Sequence, residues 1–160
     1  MLFLCGCEHY PESYPPPAQF AGGRPNPEVM VDFGEPGAAG HIVKDIVPFV
    51  HGSWVWTGKQ PTLKILAVST EGMKLQADFA LWDDGFKQTG PVALTFKVND
   101  RDLDTVRYDT PGLKHFEKAV PSGWLSSGLE ATVSITADKV YTAADGKQFG
   151  FILSRIGFKP

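Results

Sequence analysis

The chain contains little cysteine. Its 160 residues include two cysteines, Cys5 and Cys7, with one glycine between them. A disulfide across so short a loop would be strained, and the neighbouring residues supply too few ligands for a metal site. Because the rest of the chain has no cysteine, the sequence fits either an oxidising or a reducing compartment.

The chain also lacks an excess of basic residues. Its 15 lysines and arginines stand against 18 acidic residues, and the formal net charge is -3. Nucleic-acid binding depends on clustered lysine and arginine side chains that neutralise phosphates. We therefore predict no nucleic-acid partner.

Sequence motifs of catalysis are missing as well. The sequence contains no G-x-S-x-G elbow, no H-E-x-x-H pair and no Walker loop. His51 and Ser53 are close in sequence, but no glycine-rich turn that could stabilise an oxyanion accompanies them. We predict that no residue is catalytic and that the protein is not an enzyme. A small hydrolase is an alternative that requires a serine, a histidine and an acid to converge in space.

Turn formers and strand formers are abundant instead, with 17 glycines, 13 prolines and 12% aromatic residues. The hydrophobic fraction of 42% and the charged fraction of 21% are typical of a soluble globular protein. A chain of this length buries roughly 70% of the surface that its unfolded form exposes. We expect one folded domain, residues 28–160, preceded by a tail, residues 1–27.

Apolar residues alternate with polar residues in several segments, which is the pattern of half-buried strands in an antiparallel sheet. These segments are residues 29–33, 53–57, 62–68, 74–81, 92–98, 103–108 and 129–137. The last segment, residues 145–158, opens with Asp145-Gly146, a turn signal of the type-I′ kind, and its first half is apolar on both faces, which indicates a central strand. The sequence predicts an all-β fold, an antiparallel β-sandwich or jelly roll of about eight or nine strands.

Glycine, proline and polar residues predict the connections. Residues 58–61 are expected to form a turn, residues 83–91 a loop and residues 99–102 the tight turn of a hairpin. Residues 122–125 suit a single helical turn. The run 41–50 fits either a short strand or a turn of helix.

The first residues resemble a bacterial lipobox. Leu4, Cys5, Gly6 and Cys7 follow the pattern of a leucine, two small residues and a cysteine, which implies that Cys7 becomes lipidated. The basic and long apolar regions of a signal peptide do not precede it, which fits a start inside a longer signal or an accidental match. Residues 8–27 carry six prolines, and such a segment is extended and semi-rigid enough to hold a tethered domain away from a membrane. This predicts a lipid-anchored protein of the cell envelope; the alternative is a cytosolic protein.

The order of motifs over residues 52–159 resembles the galactose-binding-domain-like jelly rolls, which occur as accessory modules beside glycan-acting proteins in bacteria. The features that carry the resemblance are a hairpin at Val98-Asn99, a bridge over residues 121–128, and a closing strand introduced by Asp145-Gly146 and Gly150. Members of this fold bind sugars or other ligands at loops on one end and are usually not catalytic. Where the family often has an arginine after the closing Asp-Gly, this chain has a lysine, and no ligand residue can be transferred by motif.

Trp82 is the first candidate for ligand binding, because it ends a strand and opens a connection that also contains Asp83, Asp84 and Gln88. Indole rings stack on the apolar faces of sugars, and carboxylates and amides hydrogen-bond their hydroxyl groups. Trp124, on another connection, is the fourth predicted ligand-binding residue. The competing interpretation of residues 82–90 is a solvated turn.

Trp54 and Trp56 are two residues apart on one predicted strand, so their side chains should lie on the same face of the sheet. There they serve either packing or ligand binding.

Asp100, Asp102 and Asp104 have an alternating spacing, but the glycine and glutamate of an EF-hand loop are absent from the required positions. We predict no metal as a cofactor, with a looser structural calcium site as a possibility. The expected function is a non-catalytic sandwich, tethered to the envelope, that binds carbohydrate or another polar ligand at its loops. The alternative is a structural or interaction lipoprotein that docks onto another envelope protein.

Overall fold

The computed structural model describes residues 29–47 and 52–160, and these form an antiparallel all-β fold with one short α-helix. The predictions for Cys7 and the proline-rich segment, and for His51, lie outside the described residues. The strands are β1 (Met30–Asp32), β2 (Ile42–Ile46), β3 (Val55–Ala67), β4 (Lys74–Leu81), β5 (Val92–Val98), β6 (Arg101–Tyr108), β7 (Gly112–Ala119), β8 (Leu129–Ala137), β9 (Tyr141–Thr142), β10 (Gln148–Phe149) and β11 (Ile152–Lys159). A 3-10 helix (Ala38–His41) precedes β2, and helix α1 (Asp83–Thr89) lies between β4 and β5.

Two layers of strands form the sandwich. In the first layer, which we call layer A, the order is β7-β4-β11-β1; in layer B it is β6-β5-β8-β3-β2. The chain passes from layer to layer between β4 and β5, between β6 and β7, and between β7 and β8, which is the kind of connectivity found in jelly rolls. The predicted antiparallel β-sandwich is confirmed. No helix within residues 29–47 and 52–160 has the length and apolar character needed to cross a membrane.

The core between the layers is apolar and rich in phenylalanine. Phe79 of layer A packs 6.2 Å from Phe96 of layer B, and Phe96 stacks on Phe116 of layer A with ring centroids 3.6 Å apart. The alternation predicted for β4, β5 and β8 is confirmed, because the inward residues of these strands are buried. They are Leu75, Ala77, Phe79, Leu81, Val92, Leu94, Phe96, Val98, Ala131, Val133, Ile135 and Ala137.

Strand β11 is central, as predicted, with β3 on one side and β4 on the other. Its register against β4 shifts between Leu153 and Arg155. The extra residue reverses the alternation, so that Leu153 and Ile156 both point into the core and both are fully buried. This bulge explains why the buried apolar residues of the segment are odd-numbered before it and even-numbered after it.

The turn predicted at residues 58–61 is wrong, because β3 runs through them without interruption. Proline is tolerated there because the partner strand β2 is irregular: Lys44 pairs with Thr62, Ile46 pairs with Thr57, and only Asp45 faces the four residues between. The Asp45 carboxylate accepts a hydrogen bond from the Gln60 backbone N–H.

The loop predicted over residues 83–91 contains helix α1 instead. Two acidic residues, Asp83 and Asp84, occupy its first turn, where they interact favourably with the helix dipole, and Asp84 pairs with Lys87 at 2.9 Å. A seven-residue helix is not stable from propensity alone. Its tertiary contacts, chiefly Phe86 against the core and Gln88 against β9, select the helical conformation.

The predicted hairpin is confirmed, but its turn is Asn99-Asp100, since residues 101 and 102 already belong to β6. Both turn residues have positive φ, as a type-I′ turn requires. At the β9–β10 hairpin only Gly146 has positive φ, so the turn around Asp145-Gly146 is not type I′. In the described part of the run 41–50, residues 41–47, β2 follows the end of the 3-10 helix. The helical turn expected at residues 122–125 is wrong, because this segment is a non-helical turn closed by a bond from the Trp124 N–H to Pro121.

The point at which β3 leaves layer A for layer B is fixed by one buried hydroxyl. Thr57 Oγ1 donates to the carbonyl of Phe151 and accepts from its N–H, both at 3.0 Å, and Thr57 is fully buried. A Cβ atom at position 150 would collide with the carbonyl oxygen of Gly58, so only glycine permits these two segments of the backbone to approach so closely.

We expect Thr57→Val to lower the free energy of unfolding by about 1–3 kcal/mol, because it leaves the buried Phe151 N–H without its hydroxyl partner while keeping side-chain volume. Urea unfolding followed by tryptophan fluorescence measures the difference. Thr57→Ser is the matched control, since it retains the hydroxyl, and it should unfold closer to the native protein. Equal stability of Thr57→Val and the native protein would contradict the role assigned to the hydroxyl.

Candidate functional site

An aromatic cluster covers the end of the sandwich where β3 begins and β4 ends. Val55 and Thr57 are fully buried, so Trp56 between them points away from the core. Trp54 lies on the same face, with its ring centroid 5.9 Å from that of Trp56 in an edge-to-face contact. The shared face predicted for these two indoles is confirmed, and it is the outer face of the sheet.

Trp56 and Trp82 form the centre of this cluster, with centroids 5.4 Å apart. Phe149 packs 5.3 Å from Trp56, and Tyr141 packs 5.1 Å from Trp82. Most of these pairs are edge-to-face, the arrangement that the charge distribution of aromatic rings favours. The cluster is therefore a defined platform, to which the strand ends and the β9–β10 hairpin each contribute.

A narrow cleft opens between this cluster and helix α1. Its lining includes Trp56, Trp82, Phe86, Tyr141 and Phe149, with Lys139 and Thr89 at polar positions. The space inside it that a water-sized molecule can reach is only about 20 Å³, so the cleft is a groove between the rings and does not enclose a sugar. Sites for small ligands are concave, mostly apolar, and contain a few polar groups that orient the ligand. The cleft has this composition.

Some polar residues around the cleft are engaged in hydrogen bonds within the protein, and others could contact a ligand. Gln88 clamps the hairpin to the helix: its amide donates to the Thr142 carbonyl at 3.2 Å and its oxygen accepts the Thr142 N–H at 2.8 Å. The hydrogen bond from Lys87 to Asp84, more than any other contact, raises the pKa of the Lys87 ammonium. The Asp83 side chain is exposed and makes no hydrogen bond or ion pair with the described residues.

Trp124 lies at the other end of the sandwich. Val92, at the start of β5, lines the aromatic cleft, whereas Asn99, just after β5, donates a hydrogen bond to the Trp124 carbonyl at 2.9 Å. Arg101 lies over the Trp124 ring at 5.5 Å, in a cation–π contact. The structure therefore brings Trp82, Asp83 and Asp84 together on one connection and leaves Trp124 about the length of a strand away from them.

Lysines pair with two of the aspartates considered for calcium. Asp102 lies 3.3 Å from Lys97, and Asp104 lies 3.1 Å from Lys118. Within residues 29–47 and 52–160, no group of three or more His, Cys, Asp or Glu side chains could hold a metal ion.

Sequence reasoning missed Tyr141, Phe149 and Lys139 as contributors to the cleft. The alternation pattern places Phe149 in the final strand and Tyr141 in no element, because the two-residue strands β9 and β10 are too short for a periodic signal. The signal available was the pair of aromatic residues on either side of the Asp145-Gly146 turn, which is typical of a hairpin with a packed face.

A second polar arrangement lies on the outer face of layer A. Asp78 accepts a hydrogen bond from His115 Nδ1 at 2.6 Å and two from the Arg155 guanidinium at 2.8 and 3.0 Å. Partial burial tends to raise the pKa of Asp78, but the hydrogen bonds from His115 and Arg155 outweigh it and hold the pKa below its ordinary value.

Ser154 borders the same depression, yet no hydrogen bond joins it to His115. The bonded serine–histidine–acid array that the hydrolase alternative requires is thus not formed by the described residues.

The lowered pKa predicts how Asp78 contributes to stability. A carboxyl group whose pKa is lower in the folded protein than in the unfolded chain stabilises the folded protein at any pH above its unfolded-state pKa. This stabilisation is lost as the pH falls through the folded-state pKa. We expect the difference in unfolding free energy between the native protein and Asp78→Asn to be constant near neutrality and to shrink below about pH 3.8.

Urea unfolding at a series of pH values measures this difference. Asp109→Asn, which removes an exposed ion pair with Arg107, controls for the change of surface charge. A difference for Asp78→Asn that stays constant down to the lowest pH would contradict the prediction.

No protein-family model matches the sequence, and no curated protein matches it. Among solved structures, CBM35 from Paenibacillus barcinonensis, a jelly-roll carbohydrate-binding module, is 18% identical over 73% of this chain and 90% of that one, with a TM-score of 0.43.

Two enzymes are also similar over part of their length. A family GH115 4-O-methyl-α-glucuronidase with specificity for decorated arabinogalactans is 10% identical over 66% of this chain, with a TM-score of 0.42. The exo-β-1,3-galactanase from Phanerochaete chrysosporium, solved with β-1,3-galactotriose, is 14% identical over 66% of this chain, with a TM-score of 0.39. This chain spans 14% and 23% of the lengths of those two enzymes. Similarities of this size assign no ligand and no activity to it.

Proposed function

We propose that this β-sandwich is a non-catalytic carbohydrate-binding protein whose ligand lies on the aromatic surface at the mouth of the cleft beside Trp82. The observation that carries the proposal is the meeting of Trp56, Trp82, Tyr141 and Phe149 in one concave site at the strand ends. Sugars present apolar C–H faces and polar edges, and an aromatic cleft with a polar rim complements both.

The rim supplies hydrogen-bonding groups at the mouth of the cleft. The Asp83 carboxylate is exposed and unpaired among the described residues, and carboxylates are strong acceptors for hydroxyl groups. The Lys139 ammonium donates to the Pro91 carbonyl at 2.9 Å and more weakly to the Thr89 carbonyl at 3.4 Å, which leaves one of its three donors for a ligand.

The site is held in place before any ligand arrives. Gln88 ties helix α1 to β9 through two hydrogen bonds, and Phe149 packs against Trp56 of the sheet. A preformed site loses less conformational entropy on binding, which favours affinity for a ligand as strongly hydrated as a sugar.

Replacing Trp82 tests the site. A glycan array probed with the full chain identifies a ligand, and titration followed by tryptophan fluorescence then gives the affinity. We expect Trp82→Ala to weaken binding by about tenfold or more, because the stacking surface is lost, and Trp82→Phe to retain most of the affinity. Asp83→Ala should weaken binding less, and chelation of calcium should have no effect.

Trp124→Ala is the matched control, since it removes an indole from the opposite end, and it should bind like the native protein. Circular dichroism establishes that each variant is folded. Unchanged binding by a folded Trp82→Ala would overturn the proposed site, and a loss confined to Trp124→Ala would move the site to the other end. Calcium-dependent binding would contradict the proposed site and favour one at Asp100, Asp102 and Asp104.

Tethering to the cell envelope is a separate part of the proposal and depends on Cys7, which lies outside the described residues. The lipobox-like residues that end at Cys7 and the six prolines after them support it.

We expect Cys7→Ser expressed in bacteria to lose the incorporation of labelled palmitate and to leave the membrane fraction, with Cys5→Ser as the control that keeps both. Equal labelling of the native chain and Cys7→Ser would contradict the anchor and would leave the binding proposal intact.

A further inference from the structure

One apolar row crosses the outer face of layer A. Strand pairing places Trp56 beside Ile152, Ile152 beside Ala80, and Ala80 beside Leu113. Each of these residues alternates with core residues of its own strand, so all four side chains lie on the same outer face. We call Trp56, Ile152, Ala80 and Leu113 the apolar row.

Part of this row is open to solvent. Leu113 is 87% exposed, the largest exposure among the large hydrophobic residues that the structure describes as exposed. Ala80, with a single methyl group, forms a low point between Ile152 and Leu113. A shallow depression on this face is bordered by Leu113, His115, Asp78 and Ser154.

A polar row runs parallel to the apolar one, a short step along each strand. It consists of Arg155, Asp78 and His115, which are neighbours in the strand pairing and bond to one another through the Asp78 carboxylate. Beyond it, Glu117 accepts hydrogen bonds from Lys74 and Gln76. These side chains are fixed by their mutual bonds, and donor groups of Arg155 and the second ring nitrogen of His115 remain for a ligand.

The apolar row continues the aromatic cleft, because Trp56 belongs to both. Four strands at an inter-strand spacing of about 4.8 Å make the row about 14 Å long. An apolar strip of this length with hydrogen-bonding groups along one side matches a linear chain of sugar rings. A protein–protein interface buries about 800 Å² on each partner and is depleted of charged residues at its centre, whereas this strip is narrow and a charged row lies directly beside it.

We infer that the ligand is a linear polysaccharide, which places one sugar unit over the mouth of the cleft beside Trp82 and extends across layer A along the apolar row. This inference rests on the proposed function and adds to it the class of ligand. The polar row bonds the hydroxyl groups along one edge of the chain, while Ile152, Ala80 and Leu113 contact the ring faces.

The dependence of affinity on chain length tests the inference. The probes are β-1,3-linked galacto-oligosaccharides and β-1,4-linked gluco- and xylo-oligosaccharides, from disaccharide to hexasaccharide, titrated against the full chain. For the series that binds, we expect the hexasaccharide to bind about tenfold more tightly than the disaccharide. Ala80→Arg, which blocks the row, and Leu113→Ser should reduce this ratio to about threefold or less without changing disaccharide affinity.

Leu129→Ser is the matched control: Leu129 is a leucine 62% exposed on β8 of layer B, and its replacement should leave the ratio unchanged. Equal affinity for disaccharide and hexasaccharide, with Trp82→Ala still abolishing binding, would overturn the extended site and leave the proposed function standing. Binding of none of the saccharides would overturn both. A ratio equally reduced by Leu129→Ser would assign the effect to general surface polarity and also overturn the inference.

Discussion

The structure depends on the close approach of β3 and the segment that leads into β11. Thr57 supplies a hydroxyl that both donates to and accepts from the Phe151 backbone in the fully buried core. At this point β3 stops pairing with layer A and begins to pair with layer B. Polar backbone groups left unpaired in such a place would be costly, and the hydroxyl removes that cost where the regular ladder ends.

The candidate site follows from this junction. Because Val55 and Thr57 must face the core, Trp56 faces outward, and an outward indole at the end of a sheet needs cover. Helix α1 and the β9–β10 hairpin provide it, and Trp82 and Phe149 are the side chains that reach Trp56. The alternation of inward and outward side chains along β3 thus links the buried core to the aromatic surface beside it.

The two faces of layer A have different chemistry for the same reason. Inward residues of β4, β7 and β11 fill the core, while their outward neighbours form an apolar row beside a row of charged groups fixed on Asp78. Partial burial would favour a neutral Asp78, yet the hydrogen bonds from His115 and Arg155 keep its pKa low, so the Asp78 carboxylate is charged at neutral pH. The combination of fixed charges and an apolar strip suits a ligand that is itself apolar on its faces and polar on its edges.

The amino-acid pattern alone determined the all-β class, the antiparallel strands β4, β5 and β8, the Asn99-Asp100 hairpin and the central position of the last strand, because period-two alternation and turn chemistry are local signals. It also predicted that Trp82 closes a strand beside two acidic residues. Only the tertiary structure decided that residues 58–61 extend β3, since an irregularity in β2 accommodates Pro61, and that residues 83–89 form a helix, since Phe86 and Gln88 find partners far away in sequence. Strand pairing likewise decided that Trp82 lies far from Trp124 and that Tyr141 and Phe149 assemble around Trp56. Contacts between residues distant in sequence leave no periodic pattern in the amino-acid sequence.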